Sequence, residues 1–222
     1  MYTPAHFKET DIEKIKAFMR EHDFATLVTC PTQFAGVPDG TAPVATHLLV
    51  EVVEAGEKLF IHGHVALANP QWKTFLPERE ALVIFAGAHT YISPRWYKDN
   101  KDISVPTWNY SAVHAYGIPQ AITDPDQLRG ILTRLVDRYE ANSGADPRYS
   151  VEGLPAGYMD KHMKGVVGVK IEITRLEAKA KLSQNRSDED QLQVVRELEK
   201  RPDENSRAVA GAMRKNRLKP KQ

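Results

Sequence analysis

Cysteine is almost absent from this sequence: Cys30 is the single one among 222 residues. An internal disulfide is therefore excluded, and a reducing compartment such as the cytoplasm is the expected location. No apolar run approaches the roughly 20 residues that a membrane-spanning helix requires. The first residues also lack the apolar stretch of a secretory signal. We therefore expect a cytoplasmic protein that does not bind a membrane.

The motifs that identify catalytic sites with high specificity are also missing. The sequence contains no Walker loop, GxGxxG, HExxH, CxxC pair or GxSxG. Cys30 could act as a nucleophile only beside an activating base. A buried, inert side chain is the more common role of a lone cysteine. The residues alone therefore assign no catalytic group.

The overall charge is small, with 27% charged and 41% hydrophobic residues and a formal net charge of +1. This composition is typical of a folded domain. The small net charge argues against electrostatic binding of nucleic acid by the protein surface as a whole. The charge is uneven, since residues 203–222 carry +4 and the remaining chain carries −3. If DNA is a partner, we expect this basic tail to contact it.

Alternating apolar and polar residues, together with β-branched runs, predict six strands. They span residues 24–30, 44–52, 58–65, 81–93, 107–121 and 167–174. A helix is predicted from Ile12, with Thr10 and Glu13 as its capping box, and another after Asp124. Short turns favour an antiparallel order, so we expect a small antiparallel barrel with added helices rather than a parallel sheet.

Two further helices are predicted after Asp188, separated at Pro202, with Ser206 as the cap of the second. A DNA-binding helix-turn-helix is one interpretation of this segment. Packing against the barrel or a partner is favoured over it, because five apolar positions need burial. These positions are Leu192, Val195, Leu198, Val209 and Met213.

Two histidines stand two residues apart on the third predicted strand. His62 and His64 therefore share one face, and His47 on the preceding strand could join them around a metal ion. No nearby carboxylate would orient such ligands, so a hydrogen-bonded histidine pair is favoured over a metal site. Gly63 allows close approach of a ligand, and Asn69 caps a short helix with free N–H groups. Together these residues predict an anion pocket.

Large aromatic residues cluster in residues 91–97 (YISPRWY), in residues 105–110 (VPTWNY) and at Trp72. One interpretation is that they form barrel core or a dimer contact. The other is a stacking wall for a flat ring system, with Ser93 and Asn109 as polar anchors. The sequence leaves both open.

Several segments together resemble the PaiB family of FMN-binding negative transcriptional regulators. The segments are YTPAHF, ATLVT, THLL, HGHVALANPQW, YISPRWY, VPTWNY and KLSQNR, in this order between Tyr2 and Arg186. The resemblance implies a six-stranded antiparallel Greek-key split barrel of the pyridoxamine-phosphate-oxidase type. It also implies a homodimer with flavin at the subunit boundary, and a role in repressing sporulation and degradative enzyme genes. Residues 1–186 would form the barrel domain and residues 187–222 a helical extension with a basic tail.

The same resemblance implies where FMN is held. The implied cofactor-binding residues are Thr46, His47, Leu48, His62, Gly63, His64, Asn69, Trp72, Lys181, Ser183, Gln184 and Asn185. Related flavin oxidases place Arg or Lys at the phosphate. In this sequence the junction between the third strand and the next helix, HGHVALAN, contains only histidines and an amide, and the first cation after it is Lys73. Backbone N–H groups, histidine dipoles and Lys181 or Arg186 would then hold the phosphate.

Two other functions are compatible with such a barrel. One is a flavin-dependent oxidoreductase, since related barrels move electrons between FMN and small substrates. The other is a haem-associated protein in which His62, His64 or His89 ligates iron. A flavin-binding regulator without catalytic activity is the favoured interpretation.

Overall fold

The computed structural model describes residues 1–31, 42–98 and 102–217. These residues contain all six predicted strands and one additional short strand. The strands are β1 Lys8–Glu9, β2 Phe24–Thr29, β3 Val44–Ala55, β4 Lys58–Ala66, β5 Ala81–Ile92, β6 Thr107–Ile122 and β7 Val166–Lys181. The last strand continues seven residues beyond the predicted end at Thr174.

Five α-helices accompany the strands in the described part of the chain. They are α1 Ile12–Glu21, α2 Pro125–Glu140, α3 Tyr158–Met163, α4 Asp188–Glu199 and α5 Glu204–Arg217. Short 3₁₀ helices span Ala5–Phe7, Pro70–Thr74 and Pro94–Trp96. The helices of the described residues all lack the combination of length and hydropathy that a membrane span requires.

The strands form one sheet in the order β1-β7-β4-β3-β2-β5-β6, and an additional pairing of β7 with β6 closes it. The ladders between β2, β3, β4 and β7 are antiparallel. Ala55 pairs with Lys58 across the β3–β4 turn, where Gly56 adopts a φ of +60°. A two-residue hairpin turn needs this left-handed conformation, which glycine adopts without steric cost. The predicted antiparallel barrel is confirmed.

The chain divides into two compact units. Unit 1 comprises Met1–Phe18, Ala86–Val113 and Glu177–Gln222, and unit 2 comprises Met19–Phe85 and His114–Leu176. Strands β5, β6 and β7 each begin in one unit and end in the other. The domain boundary after Arg186 stays a prediction. Each compact unit combines segments that are distant from one another in the sequence.

Helices α4 and α5 contribute to the hydrophobic core of unit 1. Their buried side chains pack with those of Ile92, Tyr97 and Leu182. The helical members of this core are Val194, Val195, Leu198, Val209, Ala210 and Met213. Four of the five apolar positions that were expected to need burial are therefore buried, while Leu192 is 37% exposed.

Two predicted helix caps are wrong by a few residues. Asp11, not Thr10, caps α1, because its carboxylate accepts the N–H groups of Glu13 and Lys14 at 3.1 and 3.3 Å. Asp203, not Ser206, caps α5 in the same way, accepting the Ser206 N–H at 2.8 Å. The positive end of the helix dipole also stabilises a carboxylate at the start of a helix. This favours aspartate over threonine or serine as the cap of both helices.

Candidate functional site

The predicted binding residues of β3 and β4 lie on two different faces of the sheet. The buried face includes Leu48 and Gly63. Thr46 lies two residues before Leu48 and therefore points to the same face. Because side chains alternate along a strand, His62 and His64 point to the opposite face. The sheet therefore places the two histidines away from Thr46, Leu48 and Gly63.

His62 belongs to a polar network within unit 2. Its Nδ1 accepts a hydrogen bond from the Arg134 guanidinium at 3.0 Å, and Arg134 also pairs with Glu51 at 2.8 Å. Burial lowers the pKa of His62, and the positive charges of Arg134 and Lys170 lower it further, against the opposing charge of Glu51. Arginine can only donate hydrogen bonds, so Nδ1 of His62 is the acceptor in this contact. The imidazole of His62 is therefore assigned as neutral, with its proton on Nε2.

His64 lies opposite Gly168 in the β4–β7 ladder. A Cβ at Gly168 would stand 2.9 Å from the Ile122 side chain and 3.3 Å from that of Leu128, so this position is closely packed. Burial alone lowers the pKa of His64. Both histidines are half-buried and favour the neutral state, which makes them weak counter-charges for a phosphate.

Each histidine retains one buried ring nitrogen, His62 Nε2 and His64 Nδ1, without a hydrogen-bond partner in the described residues. No group of three or more His, Cys, Asp or Glu side chains in the described part of the chain could hold a metal ion. The histidine pair therefore has unused hydrogen-bonding capacity.

Asn69 caps the Pro70–Thr74 helix as predicted. Its Oδ1 accepts the Gln71 N–H at 3.0 Å, and its Nδ2 donates to the Thr46 hydroxyl at 2.9 Å. The helix is a five-residue 3₁₀ helix. The hydrogen bond to Asn69 satisfies the Gln71 N–H, one of the free N–H groups at the start of this helix. His47, on the other face of β3, contacts the Thr26 hydroxyl at 2.9 Å.

Gln71 is a buried polar residue that no sequence pattern indicated. Its Nε2 lies within hydrogen-bond distance of Leu27 O, Thr29 Oγ1 and Val44 O, at 3.3, 3.1 and 3.0 Å. The side chain is fully buried and connects the 3₁₀ helix to β2 and β3. A glutamine in a polar-looking NPQW segment gives no local signal of burial, because its partners are backbone groups distant in sequence.

Trp72 lines a cavity of about 410 Å³ in unit 2, formed by the segment from Trp72 to Pro77 and by residues 118–121 of β6. The indole N–H donates to Leu67 O at 3.1 Å. The Lys73 ammonium lies 5.5 Å from the centroid of the Trp72 rings. An aromatic surface and a cation thus occur together beside the Asn69 cap.

The KLSQNR segment lies in unit 1, at the end of β7, and Lys181 is its most notable polar group. The Lys181 ammonium donates to Trp108 O at 2.8 Å and also to the Thr107 hydroxyl. Burial lowers the pKa of Lys181, and the nearby charge of Lys179 adds to the effect. In the described chain, Lys181 forms no ion pair with a carboxylate, so its charge is available to an anionic ligand.

The neighbouring residues of this segment have structural partners. Ser183 is buried, adopts a φ of +66°, and its hydroxyl accepts the Asn109 side-chain N–H at 2.9 Å. Gln184 bonds to the backbone of Leu182 and Ala180. Asn185 is exposed. Ser183 and Gln184 therefore hold the turn after β7, and Lys181 is the group best suited to an anionic cofactor such as FMN.

Two solved structures share the split-barrel fold of this chain. The flavocytochrome Anf3 from Azotobacter vinelandii superposes with a TM-score of 0.56 at 16% identity, covering 84% of this chain and 74% of that one. The FAD and heme binding protein from Mycobacterium smegmatis gives 0.55 at 19%, covering 82% and 78%. At these identities the likeness shows the fold alone.

The chain belongs to the family described as "Putative FMN-binding domain", whose model matches residues 1–175. The "Protease synthase and sporulation protein PAI 2" of Bacillus subtilis (strain 168) is 36% identical over 213 residues, 96% of either chain. The protein YKL070W of Saccharomyces cerevisiae is 31% identical over 170 residues, 68% of this chain and 99% of that one. The resemblance to the PaiB family is confirmed, and FMN is the cofactor of the family.

Proposed function

We propose that this protein is a cytoplasmic, homodimeric FMN-binding regulator of gene expression. The observation that carries the proposal is the 36% identity to a sporulation protein over 96% of both chains. Membership in the FMN-binding family supports the cofactor. When bound, FMN can accept or donate electrons, which suits a redox-sensing regulator as well as an enzyme.

Lys181 is the residue of unit 1 proposed to meet the FMN phosphate. Its ammonium is held by Trp108 O and Thr107 and faces no carboxylate among the described residues. A charge-assisted hydrogen bond to phosphate would replace part of the water that this half-buried ammonium has lost. The residues predicted on β3 and β4 stay candidates for the same cofactor.

Titration of the apo-protein with FMN, followed by quenching of flavin fluorescence, tests the cofactor. Saturable binding of one FMN per chain is expected. Absence of binding by FMN, together with an intense Soret band on addition of haemin, would replace the proposal with the haem alternative. Bleaching of the bound flavin by NADH or NADPH would instead indicate an oxidoreductase.

The homodimer is proposed because unit 1 exposes several large apolar side chains. Ile103 is 83% exposed, Val105 72% and Trp108 50%. Exposed apolar residues close together in sequence are typical of interaction surfaces. Light scattering should give twice the 25.0 kDa of one chain, and a value of one chain mass would contradict the dimer.

DNA contact is proposed for the basic side of α5 and the residues that follow it. Arg207 and Lys215 are exposed, whereas Arg214 pairs with Glu199 at 2.7 Å; residues 218–222 lie outside the described part of the chain. A gel shift across a salt series should show a shallower salt dependence for R207Q/K215Q, by up to about 0.9 per lost phosphate contact. K58Q is the control, since Lys58 is in unit 2 and pairs with Glu172. Equal slopes for both variants and the wild type would contradict a role of α5.

A further inference from the structure

The cavity of about 410 Å³ in unit 2 has two aromatic rings and a single cation in its lining. The rings are those of Trp72 and Phe75, and the cation is Lys73. The other lining residues are Pro77, Ile118, Pro119, Gln120 and Ala121. The volume falls in the range of small-molecule sites, which bind a mostly apolar ligand and orient it with a few polar groups.

The walls of the cavity are mainly apolar. Trp72, Phe75 and Ile118 are half-buried, so each leaves part of its surface for a ligand, while Pro119 is buried. Proline has no N–H group, so β6 presents no backbone donor at residue 119. Aromatic rings pair favourably with one another beyond the gain from burial alone. The walls therefore favour a ligand whose body is a ring.

Hydrogen bonds hold the aromatic wall in position. The Trp72 indole N–H donates to Leu67 O at 3.1 Å, and the Thr74 hydroxyl donates to Gln71 O at 2.7 Å. Gln71 is itself fully buried against β2 and β3. A wall that is already ordered loses little conformational entropy when a ligand binds.

Lys73 supplies a positive charge beside this wall. Its ammonium lies 5.5 Å from the centroid of the Trp72 rings, within the range of a cation–π contact. Lys73 is exposed and forms no ion pair with a carboxylate in residues 1–31, 42–98 and 102–217. Its charge is therefore available to an anionic group of a ligand whose ring lies against Trp72.

The polar groups of the lining suit a singly charged anion better than a phosphate. A phosphate dianion is usually bound by several donors, such as an arginine fork together with backbone N–H groups. In this cavity Lys73 is the cation, and Gln120 provides the other polar side chain. The nearby Gln71 N–H already donates to Asn69 at 3.0 Å. A carboxylate, which needs fewer donors, matches this lining.

We propose that this cavity binds a small aromatic carboxylic acid, with the carboxylate at Lys73 and the ring against Trp72 and Phe75. The proposal does not depend on the proposed binding of FMN through Lys181, which belongs to unit 1. It assigns Trp72, which the family resemblance implies for FMN, to a different ligand.

Saturation-transfer NMR titrations with phenylacetate and its neutral analogue phenylacetamide separate the two parts of the site. K73M should weaken phenylacetate by at least about threefold and leave phenylacetamide within about twofold, since it removes one charge pair. W72L should weaken both ligands by about twofold to tenfold, the range for loss of one aromatic contact. The control is K161M, which removes an exposed lysine of α3 in the same unit.

The expected result is saturable binding of phenylacetate that depends on Lys73 and Trp72 and is unchanged by K161M or by added FMN. Absence of saturable binding to the wild type, or equal affinities of the wild type, K73M and W72L, would overturn the proposal. Displacement of phenylacetate by FMN would also overturn it, because the cavity would then belong to the cofactor. Failure of the protein to bind FMN would leave it intact.

Circular dichroism melts of each variant show whether a loss of affinity comes from a loss of fold. K73M changes an exposed side chain and should melt as the wild type does. If W72L unfolds, F75L provides the same test of the aromatic wall. Unchanged affinity of a folded F75L for both ligands would then contradict the proposed position of the ring.

Discussion

At the scale of single residues, Gln71 shows how unit 2 positions the Asn69 cap. Its amide lies near acceptors on β2 and β3, and its own backbone N–H is accepted by Asn69. Asn69 in turn donates to Thr46. The short 3₁₀ helix is thus attached to the sheet by a chain of amide contacts, so the position of Asn69 depends on Gln71.

Replacing Gln71 with alanine should destabilise the protein by about 2–4 kcal/mol, because it opens a cavity and leaves buried carbonyl groups without donors. Urea unfolding measures the change as a lower midpoint at unchanged slope. The matched control is Q120A, at an exposed position of β6, which should change stability by less than about 0.5 kcal/mol. Equal midpoints for Q71A and Q120A would contradict the structural role of the amide.

His62 and His64 should make stability depend on pH. Burial lowers the pKa of both imidazoles below 6.5, with Arg134 and Lys170 acting on His62 in the same direction and Glu51 against it. In the unfolded chain the same groups take up protons as the pH falls through about 6.5, so the unfolded state then binds more protons. Stability is therefore retained above about pH 6.5 and decreases as the pH falls toward the folded-state pKa.

The urea midpoint measured at about pH 7.5 and about pH 5.5 tests this dependence. The double variant H62Q/H64Q should lose less stability between the two values than the wild type. His162 on α3, which is exposed, provides the control variant H162Q. An equal loss of stability in all three proteins would show that the histidine pair does not contribute.

At the scale of elements, α4 and α5 complete the core of unit 1. Met213 is 1% exposed and packs in the cluster that contains Ile92 and Tyr97. Ser206 is fully buried on α5, and its hydroxyl contacts that of Thr90 on β5 at 3.0 Å. Truncation after Arg186 would remove most of this core, so DNA binding is better tested by surface substitutions.

The substitution M213A should lower stability by about 2–4 kcal/mol, the usual cost of a large-to-small change in a core. L192A, on the exposed side of α4, is the control and should cost less than about 1 kcal/mol. Thermal melts followed by circular dichroism measure both. Equal melting temperatures of the two variants would contradict the packing of α5 in unit 1.

Sequence patterns predicted the strands and helices better than they predicted individual contacts. Alternation predicted the strands, because side chains on the two sides of a sheet face different environments. The amphipathic spacing after Asp124 predicted α2, whose Leu128, Ile131 and Leu135 are buried. The caps at Asp11 and Asp203 were missed because several polar residues near each helix start are suitable cap residues, and the sequence does not show at which of them the helix begins. The burial of Gln71 and the face of the histidines depend on contacts distant in sequence.

At the scale of the whole molecule, the long strands determine which residues can act together. β5, β6 and β7 pass through both compact units, so each unit combines residues from distant parts of the chain. An open groove of unit 1, for example, is lined by residues of β5 near His89 and by residues of β6 near Trp108. A sequence motif covers only one of these segments, so the aromatic cluster at residues 105–110 indicated an aromatic surface but not the β5 residues that lie beside it.

Native mass spectrometry of the purified protein reports subunit number and bound cofactor in one spectrum, so it tests the proposed FMN-binding homodimer as a whole. We expect a species of two 25.0 kDa chains that carries one FMN per chain and releases it on denaturation. A single chain without added mass, even after incubation with excess FMN, would contradict both the homodimer and the flavin-binding function.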